Sequence, residues 1–230
     1  MKRLKVAIIP ARGGSKRLPN KNILKFKGQP IINFTIKAAI KSKVFDEIII
    51  STDSKKIKHL VSKFPITIHD RPKYLSTGNS TINQLCEYLI KSYKEKGITW
   101  SEICVLYPTA PMRNSGDIKK VMSLLKKDIN FSVAVTKFDH YPHHALIENK
   151  KKLIPMWPKL INSDKFKHKK IYVDNGSTYA AKVNYFLKYK TFLGPKLKGY
   201  EMPSYRSIDV DELNDYLLLK KIFMKNYNLR

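Results

Sequence analysis

Two stretches, far apart in a chain of 230 residues, carry residue types suited to chemistry on charged substrates. The first is Ala11, Arg12, Gly13, Gly14, Ser15 and Lys16, with Lys21 and Asn22 close behind. Glycines let the backbone turn tightly and approach a ligand, so amide N–H groups can converge on phosphate oxygens while Arg12, Lys16 and Lys21 add positive charge. This is a phosphate cradle by its chemistry, although it has neither the GxxxxGK[ST] spacing of a P-loop nor the dinucleotide GxGxxG. The second stretch holds Asp209 and Asp211. On a strand, carboxylates at i and i+2 point to one face, and such a pair can hold a hard divalent cation such as Mg2+, with water completing its shell. Another reading stays open, in which Asp211 caps the last helix and Asp209 pairs with Arg206.

Other reactive side chains are less suggestive. Cys86 and Cys104 form no CxxC pair and read as reduced core thiols. His140, His143 and His144 cluster, but Pro142 breaks helical spacing and only Asp139 is at hand to complete a ligand set, so zinc is not expected. Charge is the outlier: 45 Lys+Arg against 18 Asp+Glu give +27 at pH 7. Such a field draws polyanions, nucleotides or a membrane surface without choosing among them. Lysines are spread along the whole chain, whereas arginine occurs only at positions 3, 12, 17, 71, 113, 206 and 230, which makes each arginine informative. A nucleic-acid-binding module would show a basic stripe with stacking aromatics, and no RNP, KH or zinc-knuckle motif is present. No apolar run approaches the roughly 20 residues of a membrane span. No membrane or nucleic-acid partner is expected, and the chain reads as cytosolic without a signal peptide.

The elements that must position these residues follow an alternation of short apolar runs and longer helix-periodic segments, the pattern of an α/β protein with a mostly parallel sheet flanked by helices. Strands are predicted at Val6–Pro10, Glu47–Thr52, Ile66–His69, Ile103–Tyr107, Ser132–Thr136 and Ser207–Val210. Helices are predicted at Ile31–Lys43, Ser54–Phe64, Thr81–Lys96, Asp117–Lys127 and Asp211–Met224. Asp53 and Ser115 are placed to cap helices, and Asp53 also to shape the floor of a site at the strand ends. Residues 137–170 break the rhythm with Pro142, Pro155, Pro158 and Trp157 and read as an inserted arm within a single domain, 1–230.

The run IPARGGSKRLPNKN resembles the signature loop of the cytidylyltransferases that activate sialic acid and related nine-carbon acidic sugars, the CMP-sialic acid synthetase family. The resemblance continues through FDEIIISTD, RPKYL, YPTAPMR, DNGSTY and SIDVDELND, in order along the chain. It implies a Rossmann-like nucleotidyltransferase fold with a dimerisation arm, a homodimer, and an Mg2+-dependent reaction of CTP with an acidic sugar that releases pyrophosphate. It assigns Arg12 and Lys21 to the triphosphate, and Asn22, Arg71 and Ser80 to the cytosine and its surroundings. Asp209 and Asp211 fall to the metal, with Asp211 also read as influencing removal of the hydroxyl proton. Arg71 has a plainer reading as an ion-pair partner of Asp70.

Departures from the family pattern fall on the sugar side. Tyr107 stands where sialic-acid enzymes commonly carry glutamine, which looks more like the pseudaminic-acid branch. His144 replaces a lysine in FDHYPHHAL, and an Arg-Gln pair expected before the NG motif is missing. His143, His144, Asn175 and Tyr179 are expected to line the sugar pocket, and Met156, Trp157 and Phe166 to face a second subunit or to fill a core. A Kdo-type cytidylyltransferase or another sugar nucleotidyltransferase stays as the alternative enzyme.

Overall fold

A computed structural model describes residues 4–138, 141–162 and 169–227. In chain order the elements are β1 (Leu4–Pro10), β2 (Lys25–Phe26), β3 (Gln29–Pro30), α1 (Ile31–Ser42), β4 (Glu47–Thr52), α2 (Lys55–Val61), β5 (Thr67–Asp70) and α3 (Ile82–Glu95). They continue with β6 (Trp100–Leu106), α4 (Ser115–Ser123), β7 (Phe131–Lys137), β8 (Leu146–Asn149), β9 (Lys152–Pro155), β10 (Tyr172–Lys182), α5 (Val183–Tyr189), β11 (Leu197–Glu201) and α6 (Leu213–Tyr227).

Seven strands form one sheet in the order β11-β7-β10-β6-β1-β4-β5. All pairings are parallel except those of β10, which runs antiparallel to both β6 and β7. The expected mostly parallel α/β fold is therefore present. β1 is central and buried on both faces, which is why it reads as an unbroken apolar run. Its Ala7 and Ile9 pack under α1, α2 and α4 with Ile36, Ile57 and Val121. Val6 and Ile8 face the other side with Leu85 and Leu89 of α3 and Phe186 of α5.

Several sequence expectations give way here. Ser207–Val210 is irregular rather than a strand; its one ladder-like bond runs from Val210 N–H to the Thr109 carbonyl at 3.0 Å. What fixes it is burial of Ile208 and Val210 against Phe26, Ile31 and Leu219. β10, β11 and α5 were not predicted. The caps are also one residue away from those expected: Ser54 Oγ accepts from Ile57 N–H, and Asn114 Oδ1 accepts from the amides of Gly116 and Asp117. Asp53 is left free for another contact.

Candidate active site

Parallel strands deliver β1, β4, β5 and β6 so that their carboxyl ends open on one edge, where open α/β sheets bind ligands. Just past those ends a cleft of about 200 Å3 is lined by Pro10, Arg12, Lys21, Asn22, Arg71, Ser80, Ile82, Tyr107, Pro108 and Thr109. Six of these were expected on the nucleotide side, and the fold brings them together from three separate stretches of chain, 12–22, 71–80 and 107. A larger hollow of about 450 Å3 adjoins it and shares Ser80, but its cation, Lys91, is already paired with Glu87.

The glycine loop is held from below. Gly13 N–H donates to Asp53 Oδ1 at 2.8 Å, and a Cβ on Gly13 would lie 3.1 Å from Ser54 Cβ, so the backbone sits close against the start of α2. Asp53 is thus a brace for the loop rather than a helix cap. The Gly13 amide is spent on it, and the Ser15 amide donates to the Gly13 carbonyl at 3.2 Å. Ala11 is wholly buried, and its N–H donates to the Ser51 carbonyl, so its part is to anchor the loop to β4. Gly14, Ser15 and Lys16 do not line the cleft itself.

Arg12 reaches across to the Thr77 carbonyl at 2.6 Å, and the buried Asn22 donates its side-chain amide to the Arg12 carbonyl at 2.9 Å. Arg71 is buried, its Nε donating to the Leu75 carbonyl; burial and the nearby Arg12 charge both lower its pKa. Two cations therefore share one wall, an arrangement that suits a polyanion. Arg71 does not pair with Asp70, which binds Lys58 instead. Ser80 Oγ donates to the Leu75 and Thr77 carbonyls, joining the Arg12 and Arg71 anchors.

The carboxylates arrive from the far end of the chain. Lys21 Nζ lies 2.5 Å from Asp211 Oδ1, and Arg17 Nη2 lies 2.7 Å from Asp211 Oδ2. Burial alone would raise the Asp211 carboxyl, but Lys21 and Arg17 outweigh it and hold it below the ordinary range. Both Asp211 oxygens are thus engaged by cations, one on Lys21 and the other on Arg17. Asp209 is more deeply buried, and burial pushes it up to about 6 despite the short bond from Thr109 Oγ1; Asp211 raises it further while Lys21 opposes. Neither alternative pairing occurs: Arg206 binds Asp117, and the amides of Asp211 and Glu212 are capped by Asp215.

Gly176 makes room for Asp209. Its φ is +62°, and a Cβ there would come within 2.4 Å of Asp209 Oδ2. The glycine sits in a wide bulge of β10, where Asp174 pairs with Val135 and Tyr179 with Val133. Arg113, fully buried, ties this bulge to the site by donating to the Ser177 and Tyr107 carbonyls and to Thr35 Oγ1. Burial brings its pKa down to about 10. Sequence reasoning passed over Thr109 and Arg113, although both stand inside the YPTAPMR string.

The sugar-side expectations fare unevenly. Tyr179 packs edge-on against Tyr107 with ring centroids 5.8 Å apart, so it backs that ring without lining the cleft. Asn175 does not face a pocket: it is buried and its side chain is spent on Ser177, Ser207 and Met202, which makes it a brace. His143 is buried between Tyr141 and His144, while His144 is exposed, and neither lines the cleft. His140 and Phe166 lie outside the described residues.

A family profile described as Cytidylyltransferase matches residues 6–203. The chain belongs to the cytidylyltransferase family. As a cytidylyltransferase it is a nucleotidyltransferase, in agreement with the cation-lined cleft. It is 29% identical to a pseudaminic acid cytidylyltransferase of Campylobacter jejuni over 96% of this chain and 97% of that one. It is 30% identical to an N-acylneuraminate cytidylyltransferase of Streptococcus agalactiae over 92% of this chain and 51% of the relative. Among solved structures, a CMP:2-keto-3-deoxy-manno-octonic acid synthetase complexed with CTP superposes with a TM-score of 0.70 at 15% identity, covering 97% and 99% of the two chains. That likeness speaks to the cytidylyltransferase fold.

Proposed function

We propose that this cytidylyltransferase joins CTP to a nine-carbon acidic sugar, giving the CMP-sugar and pyrophosphate. The observation that carries the reading is the meeting of Arg12, Lys21 and Asp211: two cations beside a glycine turn, with a carboxylate 2.5 Å from one of them. Arg12 and Lys21 take the triphosphate oxygens, and Asn22, Arg71 and Ser80 face the base. The anomeric hydroxyl oxygen bonds to the α-phosphorus, its proton passing to water, as the bond from that phosphorus to the pyrophosphate oxygen breaks and pyrophosphate leaves. Much of the catalytic work is positioning and neutralising charge between an anionic sugar and a triphosphate.

Mg2+ fits the donor set. Asp209 and Asp211 offer hard oxygens, the desolvated Asp209 lies in a place that favours a neighbouring cation, and Mg2+ needs only one or two carboxylates when phosphates and water complete its octahedron. Held by these two residues, it would polarise the phosphorus and lower the pKa of the attacking hydroxyl.

The β8–β9 hairpin supports the homodimer reading. Leu146, Ile147, Leu153 and Ile154 are all exposed on it, with Met156 and Trp157 exposed beyond. A two-stranded hairpin with bare apolar side chains is marginal in water and gains from a second copy. No helix among the described residues is long and apolar enough to cross a membrane; use of CTP fits a cytosolic enzyme.

Pyrophosphate release with CTP and Mg2+ should be measured against sialic, legionaminic, pseudaminic and Kdo acids. Release with one of the nine-carbon acids is expected. Activity with Kdo alone, or with no acid sugar at all, would refute the assignment.

A further inference from the structure

Asp209 and Asp211 lie in a segment, residues 207–211, with no regular secondary structure, so no strand aims their carboxylates. Something else must fix them. Downstream, Asp215 caps the Asp211 and Glu212 amides. Upstream stands an ion pair between a half-buried arginine and a buried carboxylate. Arg206 Nη1 meets Asp117 Oδ2 at 2.7 Å and Nη2 meets Oδ1 at 2.9 Å, a two-pronged contact. Asp117 is 2% exposed, and it also accepts from Tyr200 Oη at 3.1 Å and from the Asn114 amide at 2.8 Å. Every lobe of that carboxylate is used, so its orientation is locked at the first turn of α4. Two parallel N–H···O bonds fix the direction of the guanidinium as well as its distance, which a lysine ammonium cannot do.

The turn leading into α4 touches the aspartate segment again: Thr109 offers its carbonyl to Val210 N–H and its hydroxyl to Asp209. One stretch, residues 109–117, therefore grips residues 206–210 at three points. We propose that the Arg206–Asp117 pair is the positioning element for the Asp209 and Asp211 carboxylates, setting where a divalent cation is held. The inference rests on the metal reading given under Proposed function. Arg206 and Asp117 touch neither substrate nor metal; they act through the segment they anchor.

Arg206→Lys and Asp117→Asn should be compared with wild type. Arg206→Ala is less informative, because it strands a buried carboxylate and lowers folding stability. Mn2+ binding in the presence of CTP, followed by electron paramagnetic resonance, is expected to weaken about tenfold in both variants. CTP binding in EDTA and the circular dichroism spectrum should stay as in wild type, and kcat should fall with the KM for CTP unchanged. Variants that bind Mn2+ as tightly as wild type would overturn the inference, as would a lowered melting temperature as the only change. Wild-type protein that binds no Mn2+ with CTP would refute the metal reading itself, and the inference with it. Wild-type binding with unaltered variants would refute the inference alone.

Discussion

Asp209 and Asp211 stand two residues apart in opposite electrostatic states, one pushed up to about 6 by burial and the other held low by Lys21 and Arg17. The contrast sets the pH behaviour of the metal-free protein. Between the ordinary aspartate value of 3.8 and about 6, folded Asp209 keeps a proton that the unfolded chain gives up. Stability from this group is therefore full at low pH and is lost as pH rises through 6. Asp209→Asn removes the slope. In EDTA it should stabilise the protein relative to wild type by roughly 2 kcal/mol more at pH 7.5 than at pH 4.5. Urea denaturation at both values tests this, and equal differences would refute it. Gly176 answers to sterics instead. Left-handed backbone costs a residue with a Cβ roughly 1–2 kcal/mol, and here the added atom would also press on Asp209. Gly176→Ala should lower kcat at least about tenfold while CTP still binds; wild-type turnover would show that Asp209 has room to move without consequence.

At the scale of elements, α4 matters because its amino end carries both the Asn114 cap and Asp117. Asn114→Ala should cost about 1 kcal/mol in urea unfolding, and no loss would mean that Asp117 alone sustains the turn. The same scale shows what the sequence could disclose. Glu47–Thr52 was legible to the residue because β4 is a run of isoleucines and β-branched neighbours. β10 was hidden because Asp174, Asn175, Gly176 and Ser177 interrupt its alternation, and that interruption is the bulge that seats Asp209. SIDV alternates like a strand, yet Ile208 and Val210 turn into one apolar cluster and no ladder forms. Arg12, Lys21, Asn22, Arg71, Ser80 and Tyr107 were readable as motif residues. The Arg206–Asp117 and Thr109–Asp209 contacts were not, because they join residues 89 and 100 positions apart, a distance over which local pattern carries no signal.

For the molecule as a whole, the bare hairpin and the surplus charge pull in different directions. A net charge of +27 makes two copies repel, so the proposed homodimer would depend on apolar contact. Leu153→Glu combined with Trp157→Glu should yield a monomer in sedimentation at moderate salt, with the circular dichroism of the parent. A double variant that sediments as a dimer would place the subunit contact elsewhere. The Lys21–Asp211 pair has a separate consequence. It joins positions 190 residues apart, so a polypeptide still emerging from the ribosome presents the amino-terminal cations without their acidic partner. Translation must pass residue 211 before the two meet, and products truncated ahead of it keep Lys21 and Arg17 without that carboxylate.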